Sequence, residues 1–115
     1  MKKIEALIRL EKLKDVVARL DAVGYPGITI SMVEGHGRQR GVTGRQNGKP
    51  SQGGFHPKIK LEIVAKDQDA PKIVKAICSS AKTNAIGDGK IFIYDVSQAI
   101  RIRTEEEGEI ALGHE

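Results

Sequence analysis

At 115 residues the chain is the size of one ordinary domain, with room for a small core and none for a second domain. Its hydrophobic residues, 39% of the total, are mostly Ile, Val, Leu and Ala, and the only aromatics are Phe55, Phe92, Tyr25 and Tyr94, so functions that need a platform of stacked rings are handicapped. A net charge of +4 favours anionic partners and leaves nucleic acid, nucleotides, carboxylates and acidic protein surfaces all open.

Residues 3–9, KIEALIR, put Ile4, Ala6 and Ile8 on one face and Lys3, Glu5 and Arg9 mostly on the other, which is strand periodicity. The same charges exclude a signal peptide or membrane span, and no longer apolar run follows, so a cytoplasmic protein without direct membrane insertion is expected. From Glu11 to Val23, Leu13, Val16, Val17, Leu20 and Val23 recur at helical spacing, and Gly24 with Pro26 behind it supplies the stop. A second strand runs from about Ile28 to Val33 and ends in the glycine-rich, basic EGHGRQRG. The following GVTGRQNGKPSQGGFHPK has only Val42 and Phe55 as sizeable apolar residues, and reads as part of a mobile loop over about 37–55.

Regular structure resumes at Lys58, where Ile59, Leu61 and Ile63 alternate with Lys58, Lys60 and Glu62. Asp67 or Asp69 can cap a second helix, Pro71 is tolerable in its first turn, and Ile73, Val74, Ile77 and Ala81 form its apolar stripe. The single cysteine, Cys78, rules out an intramolecular disulfide, suits a reducing compartment and, inside an apolar run, is expected to be a small buried hydrophobe. TNAIGDGK leads to a strand from Ile91 to Val96, and IRIRT to a brief extra strand with Arg101 and Arg103 on one side. The acidic EEEGEIALGHE from Glu105 onward is expected to be frayed or conditionally ordered. This order predicts an α+β class: a ferredoxin-like double βαβ sandwich with both helices on one face of an antiparallel sheet, a single domain over 1–112 with a tail at 113–115. The sheet face without helices has no cover within the chain, so symmetric self-association is expected.

GDGK, Gly87 to Lys90, places two glycines and a lysine between a helix and a strand. Glycine lets backbone N–H groups approach phosphate oxygens and the lysine adds a point charge, although Asp-Gly is also an ordinary turn dipeptide. Arg101 and Arg103, on one face of a strand, would make a two-pronged anion clamp, and GHGRQRG is a second basic glycine turn.

On these residues the chain resembles the PII signal-transduction proteins. Five elements carry the match: MKKIEALIR with its following helix, GHGRQRG, PKIKLEIV, TNAIGDGKIF and IRIRT, spanning nearly all of 1–112 with no net gap. The resemblance implies a ferredoxin-like homotrimer with three intersubunit clefts, each binding ATP or ADP. It places Gly37, Arg38, Gly87, Asp88, Gly89 and Lys90 around the phosphates on one subunit, with Glu62 and Val64 near the base, and Thr29, Arg101 and Arg103 reaching in from the neighbour. It assigns 2-oxoglutarate to Gln39, Arg40, Gly41 and Lys58, with Gln39 also completing a Mg²⁺ site alongside ATP. An amide oxygen is a suitable hard ligand for Mg²⁺, and a metal bound only with ATP would make 2-oxoglutarate binding ATP-dependent.

The long loop departs from the family pattern. PII loops usually carry Y-R-G-x-x-Y, whose second tyrosine is uridylylated in some members, whereas this segment reads QNGKPS with no tyrosine, so that modification is excluded. Ser51 stands at the tyrosine position, as an ordinary loop serine or a phosphorylation site. The arginine that inserts into ammonium channels is replaced by Asn47, which puts that partner in doubt. His36 and His56 bracket the loop without the companions a metal site needs. Asn84 and Glu105 replace glycines, the first at a position where Asn tolerates positive φ, the second placing a carboxylate near the phosphate site. The expected function is a non-enzymatic sensor of ATP and ADP, and of 2-oxoglutarate with Mg-ATP. It would regulate an enzyme, a transporter or a transcription regulator through its loop and bind no nucleic acid. The alternative is a nucleotide sensor that has lost 2-oxoglutarate and regulates a transporter outside ammonium uptake.

Overall fold

A computed structural model describes residues 1–25, 27–36 and 56–113 and arranges them as β1 (Lys2–Arg9), α1 (Leu13–Ala22), β2 (Thr29–Gly35), β3 (His56–Ala65), α2 (Ala70–Ala81) and β4 (Lys90–Asp95). The strands lie in the order β2-β3-β1-β4, with every neighbouring pair antiparallel. Each βαβ unit is thus split by a strand of the other: β3 lies between β1 and β2, and β1 between β3 and β4. That is the ferredoxin-like α+β sandwich read from the alternation of periods.

The core follows from register. Ile4 stands opposite Ile63 on one side and Ile93 on the other, Ala6 opposite Leu61 and Ile91, and Ile8 opposite Ile59. The period-two apolar sets of the central strands therefore fall on one face, under the helices. Val16 and Leu20 of α1, and Ala70, Ile73, Ala76, Ile77 and Ala81 of α2, close that face. Each fully buried Ile or Leu contributes about 2 kcal/mol, and α1 and α2 also pack against each other.

Helix ends show local chemistry. Gly24, at φ +94°, stops α1 as expected, and Tyr25 N–H reaches back to Leu20 O at 2.9 Å. Pro71 sits in the first turn of α2 and Asp69 holds the N-cap position as expected, but its side chain makes no capping hydrogen bond to the helix. Asp67 lies 2.8 Å from the N-terminal amine, and Asp69 accepts the Tyr25 hydroxyl. Burial, and then this bond to Asp69, push the Tyr25 phenol up to about 12.

Three readings are corrected. Cys78 is exposed, because it follows Ile77 by one residue, about 100° around the helix from the buried stripe of Ile73, Ile77 and Ala81. IRIRT is not a strand: Ile100 forms one isolated bridge with Glu107, and residues 102–104 turn, closed by Glu105 N–H on Arg101 O at 2.7 Å. Alternation consequently does not put Arg101 and Arg103 on a shared strand face. The segment after Glu105 is also ordered, as a 3₁₀ turn over Gly108–Leu112.

Glu105 itself has φ +61°, a left-handed conformation that costs a residue with a Cβ about 1 kcal/mol. Glu105→Gly should therefore raise stability by about 0.5 kcal/mol, part of the gain being returned as chain entropy in the unfolded state. Urea unfolding checks this, and a lower midpoint would show that the glutamate side chain contributes more than its backbone costs. Among the described residues no helix is long and apolar enough to cross a membrane.

Candidate functional site

The GDG turn is shaped by two glycines, Gly87 and Gly89, both at φ +102°. Gly89 has a further constraint, because a Cβ there would lie 1.7 Å from the carbonyl oxygen of Leu7. Only a residue without a side chain lets the turn lie directly against β1. Between the glycines, the Asp88 carboxylate ties the turn together. It accepts the backbone N–H of Thr83 at 2.8 Å and of Asn84 at 2.9 Å, the Thr83 hydroxyl, and Arg9 Nε at 3.1 Å. Asn84 has φ +66°, as expected for an Asn replacing glycine. These donors, the Thr83 hydroxyl foremost, hold the Asp88 carboxyl well below the usual carboxylate range against the opposing effect of burial.

Two cations grip the same turn. Arg9 Nη2 donates to Ile86 O at 2.8 Å while its Nε pairs with Asp88, and Lys58 Nζ donates to Gly87 O at 2.5 Å. Burial, and next the Arg9 charge, push the Lys58 amine down from its ordinary value. Lys90 opens β4 opposite Leu7, adding a third cation beside the turn. A backbone turn ringed by cations is chemically suited to phosphate or carboxylate oxygens.

The remaining expected contacts form a second group. Thr29 stands directly opposite Glu62 across β2 and β3, and Val64 follows on the same sheet face. Lys3 Nζ lies 3.0 Å from Glu62, whose carboxyl it holds below its ordinary value. Val64 lines a cavity with Gly27, Ile110, Leu112 and Gly113, and Arg101 and Arg103 line another with Ala111 and Gly113. Lys58 and Glu62 are four residues apart on β3, about 13 Å along the strand. The described residues thus fall into two groups, Lys58 with Gly87, Asp88, Gly89 and Lys90, and Thr29 with Glu62 and Val64, the latter bordered by the segment that also meets Arg101 and Arg103.

Gly37, Arg38, Gln39, Arg40, Gly41 and Ser51, with the whole loop 37–55, lie outside the described residues. The Mg²⁺ expectation rests on Gln39 and lies outside them too; among the described residues, no group of three His, Cys, Asp or Glu side chains could hold a metal ion. Arg9 and Thr83 shape the turn, although periodicity did not single them out. Arg9 reads as an outward strand charge, and only the antiparallel pairing of β1 with β4 carries it to the turn. Thr83, five residues before Asp88, offers a local signal of its own, since Thr and Asp flanking a Gly-rich turn commonly bond each other's backbone.

Comparison with known proteins agrees with this fold. The family "Nitrogen regulatory protein P-II" matches residues 1–106. The chain is 49% identical over 112 residues to the "Nitrogen regulatory protein P-II" of Pasteurella multocida, covering 97% of this chain and all of the relative. It is 46% identical over 112 residues to the "Nitrogen regulatory protein P-II 2" of Methanothermobacter thermautotrophicus, covering 97% of each. It is also 46% identical over 112 residues to the "Nitrogen regulatory protein P-II 1" of Escherichia coli, covering 97% of this chain and all of the relative. The chain belongs to the P-II family.

Proposed function

We propose that this protein is a non-enzymatic regulator that senses ATP and ADP in clefts between the subunits of a homotrimer and signals to a target protein through the segment 37–55. The observation that carries the reading is the GDG turn, preformed by two positive-φ glycines and Asp88 and flanked by Lys58 and Lys90. Such a turn can receive phosphates without reorganising, which lowers the entropic cost of binding. Because Glu62 pairs with Thr29 across β2 and β3 and Val64 shares their sheet face, the base would lie against all three on the neighbouring copy, rather than against Glu62 and Val64 of the subunit that supplies the GDG turn. The sheet face carrying Phe92, Tyr94 and the Lys3–Glu62 pair is the surface on which the copies would meet.

Lys58 and Gln39 would hold 2-oxoglutarate when Mg-ATP is present. The partly buried Lys58 amine suits a carboxylate, and bound Mg²⁺ would supply a hard centre for phosphate and keto-acid oxygens. Asn47 and Ser51, where the family carries arginine and tyrosine, favour a target outside ammonium uptake, with a membrane transporter among the candidates in a cytoplasmic setting. A second reading is favoured by one contact: Lys58 is already bonded to Gly87 O, so a sensor that binds nucleotide alone keeps this bond intact.

Calorimetry tests both. ATP and ADP are expected to bind below millimolar concentration, and 2-oxoglutarate only with Mg-ATP and not in Gln39→Ala. Absence of nucleotide binding would sink the main reading; ATP binding without any 2-oxoglutarate response would select the second.

A further inference from the structure

Arg101 is held by one carboxylate and two backbone carbonyls. Its Nη1 lies 2.6 Å from Glu106 Oε1, its Nη2 donates to Ile110 O at 2.8 Å and Gly113 O at 3.3 Å, and its side chain is only 11% exposed. Glu106 also accepts the Thr104 hydroxyl at 2.7 Å, and Gly108 N–H donates to Ala99 O at 2.9 Å. The turn 100–107 and the 3₁₀ segment Gly108–Leu112 are thereby joined through one guanidinium. That segment borders both the cavity of Gly27 and Val64 and the cavity of Arg101 and Arg103. One short stretch of chain therefore meets the residues expected at the base and at the phosphates.

We propose that Glu106 is an internal rival of nucleotide phosphates for Arg101, and that residues 108–113 form a strap released when a phosphate takes its place. The identity of the anion rests on the nucleotide reading above. An arginine fork accepts a carboxylate or a phosphate by the same paired geometry, so the two compete for one group. Arg101 is largely covered but the Glu106 side chain is 38% exposed, so the carboxylate can leave to water and a multiply charged phosphate can take its place on the guanidinium. Once Arg101 turns to the phosphate, the carbonyls of Ile110 and Gly113 lose their donor and the strap opens to solvent. Glu106 thus sets nucleotide affinity, and the strap reports occupancy at the C-terminal end of the chain.

The test combines calorimetry with hydrogen exchange on the full-length protein. Glu106→Gln should bind ADP about three- to fivefold more tightly than the parent, with adenosine binding unchanged. In the unsubstituted protein, both ADP and pyrophosphate should accelerate exchange at residues 109–112. Unchanged or weaker ADP binding by Glu106→Gln with native circular dichroism overturns the proposal, as does slower exchange in the strap on adding ADP. If Glu106→Gln fails to fold, the exchange measurement decides alone. Pyrophosphate opening the strap without any ADP binding would uphold the rivalry and refute the nucleotide reading; ADP binding with no change in the strap would do the reverse.

Discussion

Gly89→Ala should destabilise the protein by about 3 kcal/mol and abolish the proposed phosphate binding at the turn. Two costs add. At φ +102° a side chain is strained by about 1–2 kcal/mol, and the new Cβ would sit 1.7 Å from Leu7 O, where backbone on both sides leaves no flexible group to yield. The only relief is to lift the turn off β1, which also pulls Asp88 from its partners. Gly27→Ala is the control, because nothing lies within 4 Å of the Cβ built there and its φ is not positive; it should change stability by less than about 0.5 kcal/mol. Urea unfolding of the two variants checks the contrast, and equal midpoints would show that the turn does not need its approach to β1.

Asp88→Ala is expected to cost about 2 kcal/mol at neutral pH. It strands the N–H groups of Thr83 and Asn84 and leaves Arg9 without its carboxylate, while water recovers part of the loss at a site 24% exposed. The pH dependence has a definite sign. The folded Asp88 carboxyl lies below its unfolded value of about 3.9, so its contribution is complete above that pH and is lost as pH falls through the folded value. Glu62 and Asp67 are depressed as well, by Lys3 and the N-terminal amine respectively, so acid alone cannot isolate Asp88. The difference between the parent and Asp88→Asn can: it should shrink steadily as pH drops below about 4. A difference that stays constant from pH 7 to 2 would contradict the assignment.

The sheet and its helices were legible because their signals are local and repeated. Ile4, Ala6 and Ile8, or Ile59, Leu61 and Ile63, announce a half-buried strand without any knowledge of their partners. Cys78 failed for a related reason: an apolar run hides helical phase, and one step beyond Ile77 is enough to leave the core. IRIRT also alternates, but a strand needs a neighbour with free backbone groups, and the described chain offers Ile100 a single bridge while Glu106 and the strap carbonyls capture Arg101. Within the site, the glycines and Lys90 were readable from type and order. The Arg9–Asp88 pair and the Lys58 bond to Gly87 were not, since they join residues 79 and 29 positions apart.

The outward position of Cys78 has a practical consequence. The thiol lines a mainly apolar cavity of about 260 Å³ with Leu7, Asp88, Gly89 and Lys90, so it stands behind the very turn that would receive phosphate. As the chain has no other cysteine, an environment-sensitive dye coupled there would occupy one known position per subunit. It would turn the back of the turn proposed to bind phosphate into an optical gauge, readable without substituting any residue.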